Sequence, residues 1–393
     1  MRDPIEVNDS HAGAESARMT LDTLSQRPTR GIPTWQLFLM EHRHIERLAG
    51  AAPGAYREDP VGTYARMQQA VGACLLDQWI PDNPLTMGDA GFETDSALHD
   101  SPTGGASAIV VDGTLIDGPE AVAAHLERVA LPRLEAAIAG CDQVAIERRA
   151  ERIIKEERAV QALLGPGILK VPYGIVSFPT LSYGTYGYGA YFAAYALFPE
   201  LIERAFALQA DLALLHNRAA VQAIVTGDLP PFTRLDHDMA DGRGLLVRPA
   251  SLDRLWFPHL ARCLQPLLDA GVRMIWHCDG NLMALVPRLL EIGLCGFQGF
   301  QYEHGMDYER ICRMRTRDGE PLVIFAGVSV TRTLPFGTPD DVRRELRWLV
   351  EQGPPVGLVL GASSSITPGV PWANITALAE GLAYYRTHGR ARP

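Results

Sequence analysis

The sequence predicts an α/β protein, an eight-stranded parallel (β/α)8 TIM barrel with an N-terminal extension and an insertion near strand 2. Three observations predict it. Eight short apolar runs recur between residues 34 and 360, and continuous runs of that length suit strands buried on both faces, as in a parallel sheet. Amphipathic segments separate most of the runs, and such alternation closes economically as a barrel. The first run, TWQLFLM, leads into EHRHIERL without the Gly-rich phosphate turn that opens a doubly wound sheet.

In chain order, residues 1–28 are polar with no sustained apolar period and read as a frayed or helical arm, while residues 29–393 read as one barrel domain. The expected strands are 34–40, 74–80, 169–178, 232–235, 272–276, 296–300, 322–330 and 356–360. The Gly/Asp/Ser-rich stretch 86–118 is the insertion. Charged helices are expected over 143–164 and 200–224. Ser251 opens SLDRLWFPHLARCLQPLLDAG, with Asp253 in the first turn and Gly271 at the end. Thr338-Pro339-Asp340-Asp341 sets a capping Thr, a Pro at N1 and two carboxylates at the positive end of the next helix dipole. Asn281 is the expected cap of NLMALVPRLLEIG, which Gly293 closes.

Composition excludes several classes. Of 393 residues, 47% are apolar and 21% charged, enough apolar material for a large core. Lys and Arg number 36 against 46 Asp and Glu, a charge of −10, which argues against nucleic acid or an anionic membrane as partner. No apolar run approaches the roughly 18–20 residues of a membrane-spanning helix. The opening MRDPIEVNDSHAGAES lacks the basic and apolar parts of a signal peptide. Six scattered cysteines without a CxxC pair read as reduced thiols, packed as core residues apart from Cys278, in a cytoplasmic protein.

Barrel active sites are built at the C-terminal ends of the strands, so the residues after each run are the candidates. They are Glu41 and His42, then Asp82 and Asn83, with Asp77 and Gln78 inside the second run, then the Tyr/Gly loop SYGTYGYGAY, which follows Tyr173 and Ser177 in the third run. Asp236-His237-Asp238 follows, then His277-Cys278-Asp279-Gly280, Gln301-Tyr302-Glu303-His304, Ser329 with Thr331, and Ser363-Ser364-Ser365. Four of these ends set a His beside a carboxylate. On extended chain His277 and Asp279 share one face while Cys278 takes the other. The pair can therefore ligate a zinc-like ion; alternatively, His277 hydrogen-bonds a carboxylate with no metal. Asp236-His237-Asp238 can complete a metal site, bind a cationic group or do acid–base work, or pair structurally with Arg234, Arg243 or Arg248. The Tyr/Gly loop reads either as a lid over a flat ligand or as a turn packed by its own tyrosines.

Over residues 232–386 the chain resembles the uroporphyrinogen decarboxylase superfamily. Asp236-His237-Asp238, WHCDGNLMALVPRLLEIG, GFQYEHGMD, VSVTRTLPFGTPDDVRREL and SSSITPGVPWANI follow that family's order. The likeness continues more weakly into IPTWQLFLMEHRHIERLAG. The resemblance implies a (β/α)8 barrel and, by family, either a decarboxylase or a zinc-dependent methyltransferase working with methylcorrinoids and thiols. The decarboxylase's Arg-rich first-strand segment is replaced here by FLMEHRHIERL, with Arg43 in a different context, and Ser364 falls where the decarboxylase has a His. A strict decarboxylase is therefore not expected. Where the thiol methyltransferases hold zinc through His-x-Cys and a later Cys, this chain has His277, Asp279 and Ser364, so only the imidazole carries over.

The expected protein is thus a cytoplasmic methyltransferase-like enzyme acting on a small molecule or a methylcorrinoid. Zinc would be held by His277 and Asp279 with Asp238 or Glu303. Asp236, His237, Asp238 and His277 are the expected catalytic groups, and Trp35, Gln36, Tyr173, Arg243, Gln301, Tyr302 and Ser364 the substrate walls. A methylcorrinoid would arrive free or on a partner corrinoid protein, and the apolar helix near 192–198 offers a homodimer face. The alternative readings are a metal-free decarboxylase or lyase, with Arg243 or Arg248 meeting acidic substrate groups, and a non-catalytic tetrapyrrole-binding barrel.

Overall fold

The apolar runs become parallel strands in the computed structural model, which describes residues 15–87 and 109–391. β1 (Leu75–Leu76) is followed by the antiparallel hairpin of β2 (Ile109–Val111) and β3 (Thr114–Ile116). β4 (Leu169–Lys170) returns to pair parallel with β1. β5 (Phe232–Asp236) leads into a second hairpin, β6 (Ala240–Asp241) and β7 (Gly244–Leu245). Then come β8 (Arg273–His277), β9 (Gly296–Gln298), β10 (Val323–Val328) and β11 (Leu358–Ala362). The last four join β5 in one parallel sheet of order β11-β10-β9-β8-β5. The architecture is α/β with a parallel sheet. The expected first strand, 34–40, is extended chain held by single parallel bridges, Thr34 to Leu360 and Trp35 to Leu75; another such bridge joins Tyr173 to Arg234.

Period-two alternation sorts the side chains of the sheet. Trp35, Phe38, Leu75, Leu169, Val171, Phe232, Ile275, Val323, Phe325 and Val359 meet in one apolar cluster enclosed by the strands. Phe232 stacks on Phe325 with ring centroids 5.7 Å apart. Met274, Trp276 and Cys278 point the other way and pack in the larger cluster that includes the helices. Each large side chain so buried contributes about 1.5–3 kcal/mol. The helix Glu15–Leu24 inserts Ala17, Leu21 and Leu24 into the strand-enclosed cluster. Its Ser16 and Thr20 hydroxyls donate to the carbonyls of Gly167 and Cys74, which precede β4 and β1. The helix therefore closes the N-terminal end of the strands and leaves the C-terminal end free.

The helices follow their sequence signals with three exceptions. Gln143–Leu164 is helical as expected, capped by Asp142, and Pro199–Gly227 extends the second charged helix. Thr338 and Asp341 form the capping box of Pro339–Gln352. The helix around Ser251 begins at Pro249 and is broken at Trp256, whose indole N–H donates to the Pro179 carbonyl. Asn281 caps no helix: its side chain accepts from the Met283 N–H in a turn, and the helix starts at Val286 with Pro287 in its first turn. The Tyr/Gly stretch is not a loop but two helices, Tyr183–Tyr186 and Tyr188–Leu197. Its tyrosines pack on one another, Tyr183 on Tyr188 at 4.6 Å, so the aromatic rings supply the burial that makes helix favourable despite the glycines. Of the expected insertion, 88–108 lies outside the described residues, as does 1–14 of the arm. Cys141 is half-buried rather than core, and all six thiols are free.

Candidate functional site

Parallel register builds the site. Asp236 at the end of β5 pairs with His277 at the end of β8, and His277 with Gln298 at the end of β9. Two residues beyond Asp236 and His277 lie Asp238 and Asp279. One ligand atom each from Asp238, His277 and Asp279 lies within 4.8 Å of the others. The group is held in place by hydrogen bonds that leave acceptor capacity over. Asp238 Oδ1 accepts the Asp279 N–H at 2.7 Å, and Asp279 Oδ2 accepts the Ser364 hydroxyl at 3.4 Å. Asp279 Oδ1 is buried without a partner, and so is His277 Nδ1. Burial pushes the Asp279 carboxyl above the usual range; His277 pulls it down, and the charges of Asp238 and Asp236 push it further up. An imidazole with two carboxylates, one of them carrying an orphaned oxygen, is a donor set that zinc accepts while keeping a coordination position open. Cys278 takes no part: its buried thiol accepts from the Met239 N–H and donates to the Asp279 carbonyl, and burial raises its pKa strongly.

Beside this cluster a buried guanidinium organises the ends of β1, β4 and β5. Arg234 donates from Nε to Asp77 at 2.7 Å, from Nη1 to Asp236 at 2.8 Å and from Nη2 to the Gln78 side chain at 3.2 Å. Its plane lies between Tyr173 and Trp35, 4.6 and 5.3 Å from their ring centroids. Tyr173 donates its phenol to Asp236 at 2.9 Å, and Trp35 its indole N–H to Asp77 at 3.1 Å. Against its own burial, the charges of His277 and Arg234 and these hydrogen bonds hold the Asp236 carboxyl below the usual range. A cavity of about 200 Å³ opens here, walled by Trp35, Phe38, Arg234, Asp236, His277 and Gln298, with Ser364 and Ser365 at its edge.

The structure thus brings together Asp236, Asp238, His277, Asp279, Trp35, Tyr173 and Ser364 from the expected set. Others stand elsewhere. The Glu303 carboxylate accepts from the hydroxyls of Ser329 and Thr331 and is outside the Asp238/His277/Asp279 group. His237 Nε2 accepts the Leu181 N–H at 3.0 Å, and burial lowers its pKa to about 4, so it serves as a neutral clamp on the chain before the tyrosine helices. Gln36 ties strands together, its oxygen accepting from the N–H groups of Asp77 and Gln78. Gln301 accepts the Gly280 N–H at 2.6 Å and fixes the turn after Asp279. Tyr302 packs on Trp348 and donates to the Gly327 carbonyl. Arg243 is an exposed hairpin residue whose side chain, 94% accessible, pairs with Asp241. Sequence reasoning named Asp77 and Gln78 within the second run without giving them a role, passed over Gln298, and took Arg234 only as a pairing partner. Counting back by two from Asp236 on its strand would have found Arg234.

The family match falls on the C-terminal part of the chain. Residues 238–384 match the family model of uroporphyrinogen decarboxylase (URO-D). This stretch is URO-D-like. The match starts at Asp238 and takes in His277, Asp279, Gln298 and Ser364, whereas Trp35, Asp77, Tyr173, Arg234 and Asp236 precede it. Among solved structures, a methyltransferase from Methanosarcina mazei superposes with a TM-score of 0.54 at 15% identity, over 94% of this chain and 98% of that one. At that identity the likeness is one of fold. No curated protein sequence matches the chain. No helix of the described residues is long and apolar enough to cross a membrane.

Proposed function

We propose that the protein is a methyltransferase-like enzyme on a (β/α)8 barrel, with a divalent metal, zinc, held by Asp238, His277 and Asp279. The single observation that carries the reading is the convergence of these three side chains at the C-terminal ends of adjacent parallel strands. The URO-D match over the same residues and the fold shared with a methyltransferase support it. For the barrel, the support is the run of parallel pairings: β1 to β4, Tyr173 to Arg234, β5 to β8 to β9 to β10 to β11, then Leu360 to Thr34 and Trp35 back to Leu75.

When bound, such an ion supplies Lewis acidity, favouring the deprotonated form of a nucleophile beside it. The chain's own residues do the rest. The Ser364 hydroxyl on Asp279 Oδ2 leaves the other carboxylate oxygen without a hydrogen-bond partner. Arg234 and Tyr173 keep Asp236 ionised next to His277. Trp35 and Phe38, ring centroids 4.8 Å apart, shield the cavity from water on one side. Its volume, about 200 Å³, is below the roughly 300–1,000 Å³ of pockets for drug-sized ligands. The acceptor is therefore a small molecule, and a methylcorrinoid would reach the site free or on a partner protein. The acid-substrate alternative rested its anion contact on Arg243 or Arg248, and both are exposed.

Elemental analysis of chelator-washed wild type and His277→Ala tests the metal. The expected result is about one zinc per chain in wild type, lost in the variant. Metal-free wild type, or undiminished zinc in the variant, overturns the assignment.

A further inference from the structure

Carboxyl groups in and beside the cavity outnumber its cations. Among the described residues, Arg234 is the only lysine or arginine on the wall, and its charge is already met by Asp77 and Asp236. Asp238 and Asp279 stand just beyond His277. Four carboxyl groups thus stand in or beside the cavity against one guanidinium, and Asp236 is the one of the four that lines it.

The hydrogen-bonding inventory points the same way. Gln298 is 3% exposed, and its amide is oriented by the bond from Nε2 to the Ser363 carbonyl at 2.8 Å. The oxygen cannot take that place against another carbonyl, so Oε1 is the atom left over, buried with no partner on the cavity wall. Asp236 Oδ2 takes both Arg234 and Tyr173, while Oδ1 is 3.8 Å from His277 Nε2, too far for a hydrogen bond. Gln298 Oε1 is thus a buried acceptor without a donor, and Asp236 Oδ1, on an exposed residue, is a carboxylate oxygen on the same wall with no hydrogen-bond donor within reach among the described residues. The Trp35 and Phe38 rings on the same wall offer apolar contact and cation–π attraction.

We propose that the cavity binds a small organic cation, a protonated aliphatic amine whose N–H groups donate to Asp236 Oδ1 and Gln298 Oε1. Resting on the methyltransferase-like reading, this names the charge class of its small-molecule substrate, and it disfavours carboxylate-rich and anionic ligands at this position.

Ligand-observed NMR titration tests it with dimethylammonium, the equally small neutral propan-2-ol, and acetate. Chelator-washed and zinc-loaded protein are both used, without any methyl donor. Dimethylammonium is expected to bind at least about tenfold more tightly than either competitor, and Asp236→Asn and Gln298→Met are each expected to weaken it severalfold. Thermal melts establish that each variant is folded, and Gln298→Met, which leaves the Arg234 pairs intact, decides the matter if Asp236→Asn is not. Equal binding of propan-2-ol, tighter binding of acetate, or an unaffected Gln298→Met overturns the proposal. Amine binding by a protein that holds no metal would sink the metal assignment alone; zinc binding without amine preference would sink the cation site alone.

Discussion

Gly299 leaves β9 with φ of +89°, and a Cβ built there would lie 2.5 Å from His277 Nδ1. Only glycine combines that backbone conformation with that approach. Gly299→Ala is therefore expected to push the imidazole out of line and cost about 1–3 kcal/mol in backbone strain. The check is a chelator-competition titration beside a urea melt, with zinc affinity falling by more than the change in stability would account for. His237 makes the opposite kind of case, a histidine whose task is to stay neutral. Its pKa is lowered to about 4 by burial, against an ordinary value near 6.5. Between those values the unfolded chain takes up a proton that the folded chain refuses, so the stability tied to His237 is present above pH 6.5 and is lost as pH falls toward 4. Urea unfolding across pH 7 to 4 is expected to show wild type losing stability relative to His237→Gln, which keeps an acceptor for the Leu181 N–H without the titration. A difference that stays constant with pH would refute this role.

At the scale of elements, polar side chains fix how strands meet helices. Lys170 on β4 and Glu157 on the helix Gln143–Leu164 form a buried pair, Nζ to Oε2 at 2.6 Å, and Nζ also donates to the Val171 carbonyl. Burial raises the Glu157 carboxyl while Lys170 draws it back down. Replacing one partner strands the other charge, so Lys170→Met is expected to cost about 3–5 kcal/mol, whereas Lys170→Met with Glu157→Leu recovers most of it. Denaturant midpoints of the three proteins measure this; a double variant no better than the single one would show that the pair stabilises the fold on balance. Asn217 does comparable work without charge, exchanging hydrogen bonds with the Ser177 backbone and donating to the Cys263 carbonyl. Such clamps explain why the sequence pattern located the strands better than the connections. Apolar runs report burial directly, but the start of the helix after Asn281 was decided by Pro287 and by the turn that Gln301 and Met306 hold, through bonds to the Gly280 and Leu282 N–H groups.

Across the whole molecule, the two ends of the parallel strands have opposite characters. One is filled by Ala17, Leu21 and Leu24 of the helix Glu15–Leu24; the other carries Asp236, His277 and Gln298 side by side with Asp238 and Asp279 above them. That division lets one end supply stability while the other holds polar groups short of partners.

The sequence by itself determined the α/β alternation, the eight extended segments, and the common face of His277 and Asp279 with Cys278 turned away. These follow from periodicity within one strand, where two residues apart means the same side. Only the tertiary structure decided that Asp238 rather than Glu303 joins them, because that depends on where each chain goes after leaving its strand: Ser329 and Thr331 engage Glu303, while the Asp279 N–H and Tyr183, which donates to the Asp238 carbonyl, fix Asp238. It likewise decided that His237 faces Leu181 and that Asp77 and Gln298 enter the site. Contacts between residues more than a hundred positions apart, such as Arg234 on β5 with Asp77 after β1, which lie on either side of the β4 segment, arise from the order and register of the strands, which no single stretch of sequence contains.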